Sequence, residues 1–123
     1  MANELTINGS VAFSKGNVAT KTLAVQTLRA NVSGADFIQA TQSIPTTAGG
    51  TAISIPAAIG TPGWFFIKNN DATNYVTILD SVSGAALLKL KAGEVAMGRF
   101  ASAAPAALAN TAAVVIEYLI VED

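Results

Sequence analysis

Residues Gly63 to Leu79 read GWFFIKNNDATNYVTIL, two apolar runs around a polar knot. In the first run Trp64 and Phe66 alternate with Phe65 and Ile67, so an extended chain presents apolar side chains on both faces, as in a strand covered on two sides. The second run, YVTIL, sets Val76 and Ile78 against Tyr75 and Leu79 in the same way. Between them Asn69-Asn70-Asp71-Ala72-Thr73-Asn74 collects residues whose side chains bond nearby backbone and that tolerate left-handed conformations. That composition predicts a compact loop joining the two limbs as a hairpin. On this reading Trp64, Phe66 and Ile67, with Val76 and Ile78 across the hairpin, belong to the core, and Phe66→Ala is expected to cost about 3–5 kcal/mol.

Strand signals continue on both sides of this stretch. Leu5, Ile7, Val11 and Phe13 alternate around Asn8-Gly9, which predicts either a tight hairpin or one strand with a glycine bulge. Lys15-Gly16-Asn17 predicts a turn, and VATKTLAVQTLRANV the strand that follows it. After a turn at Ser33-Gly34-Ala35 the segment FIQATQSI alternates again, closed by Pro45-Thr46-Thr47 and Gly49-Gly50. TAISI is a short strand ended by Pro56 and the turn cluster Gly60-Thr61-Pro62-Gly63. LLKLKAGEVAMGRF reads as a second hairpin with Gly93 at a positive φ. In ASAAPAALANTAA, Pro105 and the lack of an amphipathic stripe favour a loop over a helix. The closing AAVVIEYLIVE is a long strand with Val114, Ile116, Tyr118 and Ile120 on one face. About eight short strands and no convincing helix predict an all-β fold: a single antiparallel β-sandwich domain over residues 1–123, jelly-roll-like in its wind.

Composition bears on what such a domain does. Charged residues make up 12% of the chain, about half of the roughly 25% usual for a soluble domain, while 51% of the residues are hydrophobic. A neutral surface rich in small side chains packs against protein without desolvating many charges, so a homo-oligomer is expected. A net charge of −1 with scattered basic residues argues against nucleic-acid binding. The opening MANELTING has no basic and apolar leader pattern, and the most apolar run, Ala112 to Val121, is too short to span a bilayer as a helix. The expectation is a chain made in the cytoplasm, with no membrane partner.

Chemistry is sparse. With no histidine and no cysteine, the commonest general base, the thiol nucleophile and most transition-metal ligands are missing. Glu94 or Glu117 would have to meet Asp71 or Asp80 to make a carboxylate pair, and nothing in their spacing brings them together. Asn70, Asp71 and Asn74 offer oxygen ligands for calcium, but one carboxylate is few for such a site. Asn31-Val32-Ser33 matches a glycosylation sequon, which without a secretory leader is read as chance. Trp64, Phe65, Phe66 and Tyr75 could line a sugar-stacking platform, with core packing the competing role. The expectation is therefore no catalytic residues, no bound metal, no cofactor and no small-molecule substrate.

The run TPGWFFIKNNDATNYVTIL, followed by LLKLKAGEVAMGRF and closed by NTAAVVIEYLIVED, resembles small virion proteins of tailed bacteriophages of the jelly-roll or β-sandwich decoration (cement) or tail type. ELTINGSVAFSKGN and VSGADFIQATQSIPTTAGGTAISI extend the resemblance over most of the chain. The resemblance implies a structural protein of the virion, commonly a homotrimer on a capsid lattice or a ring in a tail. Its expected partners are the major capsid protein or other virion proteins. A capsid decoration or cement protein is the leading expectation; a tail, neck or baseplate component and a carbohydrate-binding jelly-roll module for host attachment are the alternatives. The N-terminal segment and the alanine-rich Ala101 to Ala113 segment are expected to form the partner surface.

Overall fold

The structure is a computed structural model that describes residues 4–30, 32 and 34–123. It divides into two compact units, 1–33 and 34–123.

The first unit is an antiparallel ribbon of β1 (Leu5–Lys15) and β2 (Val18–Ala30). Of the two readings of ELTINGSVAF, the continuous strand is the one adopted. Ile7 faces Leu28 while Gly9 faces Val25, so β2 spends one residue more than β1 across Asn8, and the irregularity lies in the partner strand. The Lys15-Gly16-Asn17 turn closes the ribbon with Gly16 at φ 54. Of the predicted Ser33-Gly34-Ala35 turn and the sequon, Ser33 and Asn31 lie outside the described residues.

The second unit holds eight strands: β3 (Phe37–Ile44), β4 (Thr51–Ala52), β5 (Pro62–Asn69), β6 (Val76–Leu79), β7 (Ala86–Leu90), β8 (Val95–Arg99), β9 (Ala106–Ala109) and β10 (Val114–Glu122). They form two four-stranded sheets, ordered β3-β10-β5-β8 and β4-β9-β6-β7, with every neighbouring pair antiparallel. One core joins the sheets. Ile44, Ile67, Val114, Ile116, Tyr118 and Ile120 come from the first, and Val76, Ile78, Leu90, Ala107 and Ala109 from the second. The chain is thus an all-β antiparallel sandwich.

Both predicted hairpins are corrected by this topology. β5 and β6 lie in different sheets, as do β7 and β8, so the Asn69 to Asn74 knot and the Lys91-Ala92-Gly93-Glu94 turn each carry the chain from one sheet to the other. A short polar loop between apolar runs looks alike in either arrangement, because only long-range pairing decides which strand lies beside which. Within residues 34–123, β6 and β7 are the consecutive strands that do pair. Gly93 has the expected positive φ, at 75, and nothing crowds it, so backbone conformation alone explains the glycine.

The alanine-rich segment is also corrected. Its centre is β9, a strand between β4 and β6 with Ala106 and Ala107 fully buried. Pairing on both edges overrides the helix propensity of alanine. At Gly50, φ 84, an added Cβ would meet Leu79 Cδ1 at 2.7 Å and the Ala107 carbonyl oxygen at 3.1 Å. Two smaller readings also shift. TAISI forms ladder pairs only at Thr51 and Ala52, although the Ile53 amide still donates to the Pro105 carbonyl at 3.0 Å. Pro62 and Gly63 open β5 instead of forming a turn, with Pro62 opposite Glu122 at the strand's first position, where the missing N–H is tolerated.

Candidate interaction surface

The strand β10 sets the two faces of its sheet. Val114, Ile116, Tyr118 and Ile120 point into the core, so Val115, Glu117, Leu119 and Val121 point out. Register carries this alternation across the sheet. Leu119 lies opposite Gln39 on one side and Phe66 on the other, and Phe66 lies opposite Met97. One row along, Glu117 faces Thr41 and Lys68, and Lys68 faces Val95. At the far end Phe37 pairs with Val121, and Trp64 with Arg99.

Trp64 and Phe66 therefore sit on the outer face, which corrects their expected place in the core. Ile67, Val76 and Ile78 are core residues as expected. The outer face is apolar through Val115, Leu119, Val121, Trp64, Phe66, Val95 and Met97, the last at 50% exposure, while its β3 edge is polar except at Phe37, 65% exposed. Arg99 tethers one corner: its guanidinium lies 5.3 Å from the Trp64 ring centre and its Nη1 donates to Asp123 Oδ2 at 2.6 Å. Lys68 has no ion pair or side-chain hydrogen bond among the described residues. Glu117, beside it in the register, accepts a hydrogen bond from Asn70 Nδ2 at 3.1 Å.

The opposite sheet differs. Its outer row sets Leu108, Thr77 and Lys89 side by side, and Lys89 Nζ lies 3.9 Å above the Tyr75 ring. The four aromatics considered as a sugar platform thus separate. Phe65 turns inward and stacks on Phe100 with ring centres 4.2 Å apart, Tyr75 lies beneath Lys89, and only Trp64 and Phe66 share the outer face.

The Asn69 to Asn74 loop is held by its own side chains. Buried Asn69 donates through Nδ2 to the carbonyls of Asn74 and Leu90 at 2.8 and 3.0 Å, and its Oδ1 accepts from the Asp71 amide at 2.8 Å. Asp71 Oδ1 accepts from the amides of Asn74 at 2.6 Å and Thr73 at 2.8 Å. Those amides hold the Asp71 carboxyl below its ordinary pKa. Of the oxygens considered as calcium ligands, Asp71 Oδ1 is engaged in building the turn and Asn74 Oδ1 accepts from Thr111 Oγ1 at 3.0 Å. The remaining carboxylates stay apart in their roles: Glu94 accepts from the Lys91 amide and Asp80 from Ser81 Oγ. No group of three or more acidic residues able to hold a metal occurs among the described residues.

In the ribbon unit, Val11 and Phe13 are 59% and 54% exposed, and Leu23, directly opposite Val11, is 67% exposed. A two-stranded ribbon is marginal alone in water, and this one shows apolar side chains and, among the described residues, pairs with no third strand. No protein family, curated protein or solved structure matches the chain. What the geometry defines is a β-sandwich with an apolar sheet face and an apolar ribbon, two surfaces suited to contact with protein.

Proposed function

We propose that this protein is a structural component of a tailed-bacteriophage virion, a capsid decoration or cement protein that acts by binding and without catalysis. The observation that carries the reading is the apolar outer face of the β3-β10-β5-β8 sheet, built from alternate residues of strands whose other face is already the core. The sequence resemblance supplies the setting, with the jelly-roll wind and the trimer it implies. From β3 to β10 the chain passes between sheets at every connection except β6 to β7, which supports that wind. The mechanism is linkage: a subunit that binds the assembled lattice and not free capsomers stabilises the lattice by the free energy of its contacts.

The test is made on particles. Particles lacking the protein assemble but release DNA at a lower temperature than complete ones, and purified protein added back restores the difference. Equal resistance with and without it overturns the cement reading, and failure to form a tail in its absence moves the assignment to a tail, neck or baseplate component. A carbohydrate-binding module is the second reading, favoured by the outward placement of Trp64 and Phe66. The Arg99 guanidinium over the Trp64 ring weighs against it by occupying the indole neighbourhood that a sugar would stack upon. Saturable binding of a glycan, lost in Trp64→Ala and Phe66→Ala, would establish it.

A further inference from the structure

We infer that the outer face of the β3-β10-β5-β8 sheet is a self-complementary surface whose occupant is the same face of a second copy, related by a two-fold axis running parallel to the strands. Charge and register select this occupant and this axis. β10 and β5 are the two central strands, and on their outer faces Glu117 lies opposite Lys68 and Leu119 opposite Phe66. Rotation by half a turn about a line between these strands sets each copy's β10 over the other's β5 at the same height. Glu117 then meets the second copy's Lys68 twice over, and Leu119 meets its Phe66. An axis perpendicular to the strands, through the centre of the same four residues, sets Glu117 against Leu119 instead. The roughly 30° crossing of packed sheets moves the corners of the face but leaves this central row near the axis.

The state of the two charges within one protomer agrees. Lys68 has no ion pair or side-chain hydrogen bond among the described residues, although it stands beside Glu117. Both are half-buried on an apolar ground, where a charge partner from another molecule gains in strength as water leaves. The size of the face sets the affinity scale. Four strands at about 4.8 Å spacing, over the six steps from Val115 to Val121, give a flat projection of roughly 400 Å² per copy. Two copies reach roughly 800 Å² before side-chain relief is counted, close to the ~1,000 Å² where specific contacts begin. The expected pair is therefore concentration-dependent and reversible. The pair is a state of the free protein that gives up its second copy when the same face meets the lattice, and it is measured without particles, so its failure leaves the virion reading to the particle test.

The experiment is sedimentation of the full chain over a concentration series, on wild type and on Glu117→Lys and Lys68→Glu variants whose fold is checked by circular dichroism. Wild type shows a dimer. Each variant alone sets like charges against each other across the axis and weakens the dimer about tenfold or more. Mixing the two restores it, because one copy then carries two cations over the other's two anions. That rescue cannot arise from charge contacts inside a single protomer. Lys89→Glu, on the other sheet, leaves the dimer unchanged. A wild type that stays monomeric at high micromolar concentration, or forms a trimer indifferent to both reversals, overturns the proposal, as does a mixture no more dimeric than its components.

Discussion

The two faces of the β3-β10-β5-β8 sheet are made by the same strands and both carry large apolar side chains, yet they stand in different states. On the inner face Ile67, Ile116 and Ile120 are fully buried beneath the second sheet. On the outer face Phe66 and Leu119 are half-buried and Met97 is half-exposed. Apolar residues on both faces of a strand thus do not require that both be covered within one chain. They require only that each be covered in the state in which the protein works, and a second molecule can provide that cover.

The sharpest way to break this comparison is to truncate both faces. Ile67→Ala is expected to destabilise the protein by about 2–5 kcal/mol, because the side chain is fully buried in the core. Phe66→Ala, in dilute solution, is expected to cost clearly less than the roughly 3–5 kcal/mol of a buried aromatic truncation. Urea denaturation of both variants checks the order. Equal losses would show the outer face to be as well covered as the inner.

Next in size comes the knot between the sheets. Asn69→Ala removes three hydrogen bonds at a buried position and leaves the Leu90 carbonyl without that donor, for an expected loss of about 2–3 kcal/mol. Asn70→Ala, which removes one exposed bond to Glu117, should cost about 1 kcal/mol or less. Thermal melts of the pair separate an arch that structures the core from a loop that merely decorates it.

Smaller still is the effect of the Tyr118 hydroxyl, which donates to the Ser54 carbonyl at 2.7 Å from the otherwise apolar inner face. Tyr118→Phe is expected to cost about 1 kcal/mol. Burial raises the Tyr118 pKa above its ordinary value. The stability this represents is complete below the unfolded pKa and lost as pH rises through the folded one, so wild type should weaken above about pH 10 more steeply than Tyr118→Phe. Smallest is the acid response of Asp71, whose lowered pKa comes from the amides of Asn74 and Thr73. Its contribution is present above the unfolded pKa and lost as pH falls through the folded one, in the range below about pH 4. Amide exchange at Thr73 and Asn74 should rise there before the sheets respond.

How much of this was legible follows from which interactions are local. FIQATQSI and AAVVIEYLIVE declare their strands through period-two alternation, which puts Val114, Ile116, Tyr118 and Ile120 on one face; that this face is the buried one is decided by the second sheet. Gly93 and the Asn69 to Asn74 turn are equally local, since a positive φ and a side chain capping its own backbone depend on a few neighbouring residues. The strand at Ala106–Ala109 was hidden because alanine carries no strand signal of its own; its partners, at Thr51–Ala52 and Val76–Leu79, are distant in sequence. The candidate surface was half visible: two apolar faces were evident, and the side on which Trp64 and Phe66 would lie was not.

The sequence by itself determined that the chain is all-β, where most strands and turns fall, and that histidine and cysteine chemistry is absent from it. Backbone preference, side-chain alternation and composition act over a few residues, and each is written in the order of the chain. Only the tertiary structure decided that the two apparent hairpins cross between sheets, that the alanines are interior, and that Phe66 faces outward while Ile67 faces in. Those outcomes depend on which of several similar strands pair and on which face meets the second sheet. A strand apolar on both sides leaves that choice open until its partners are in place.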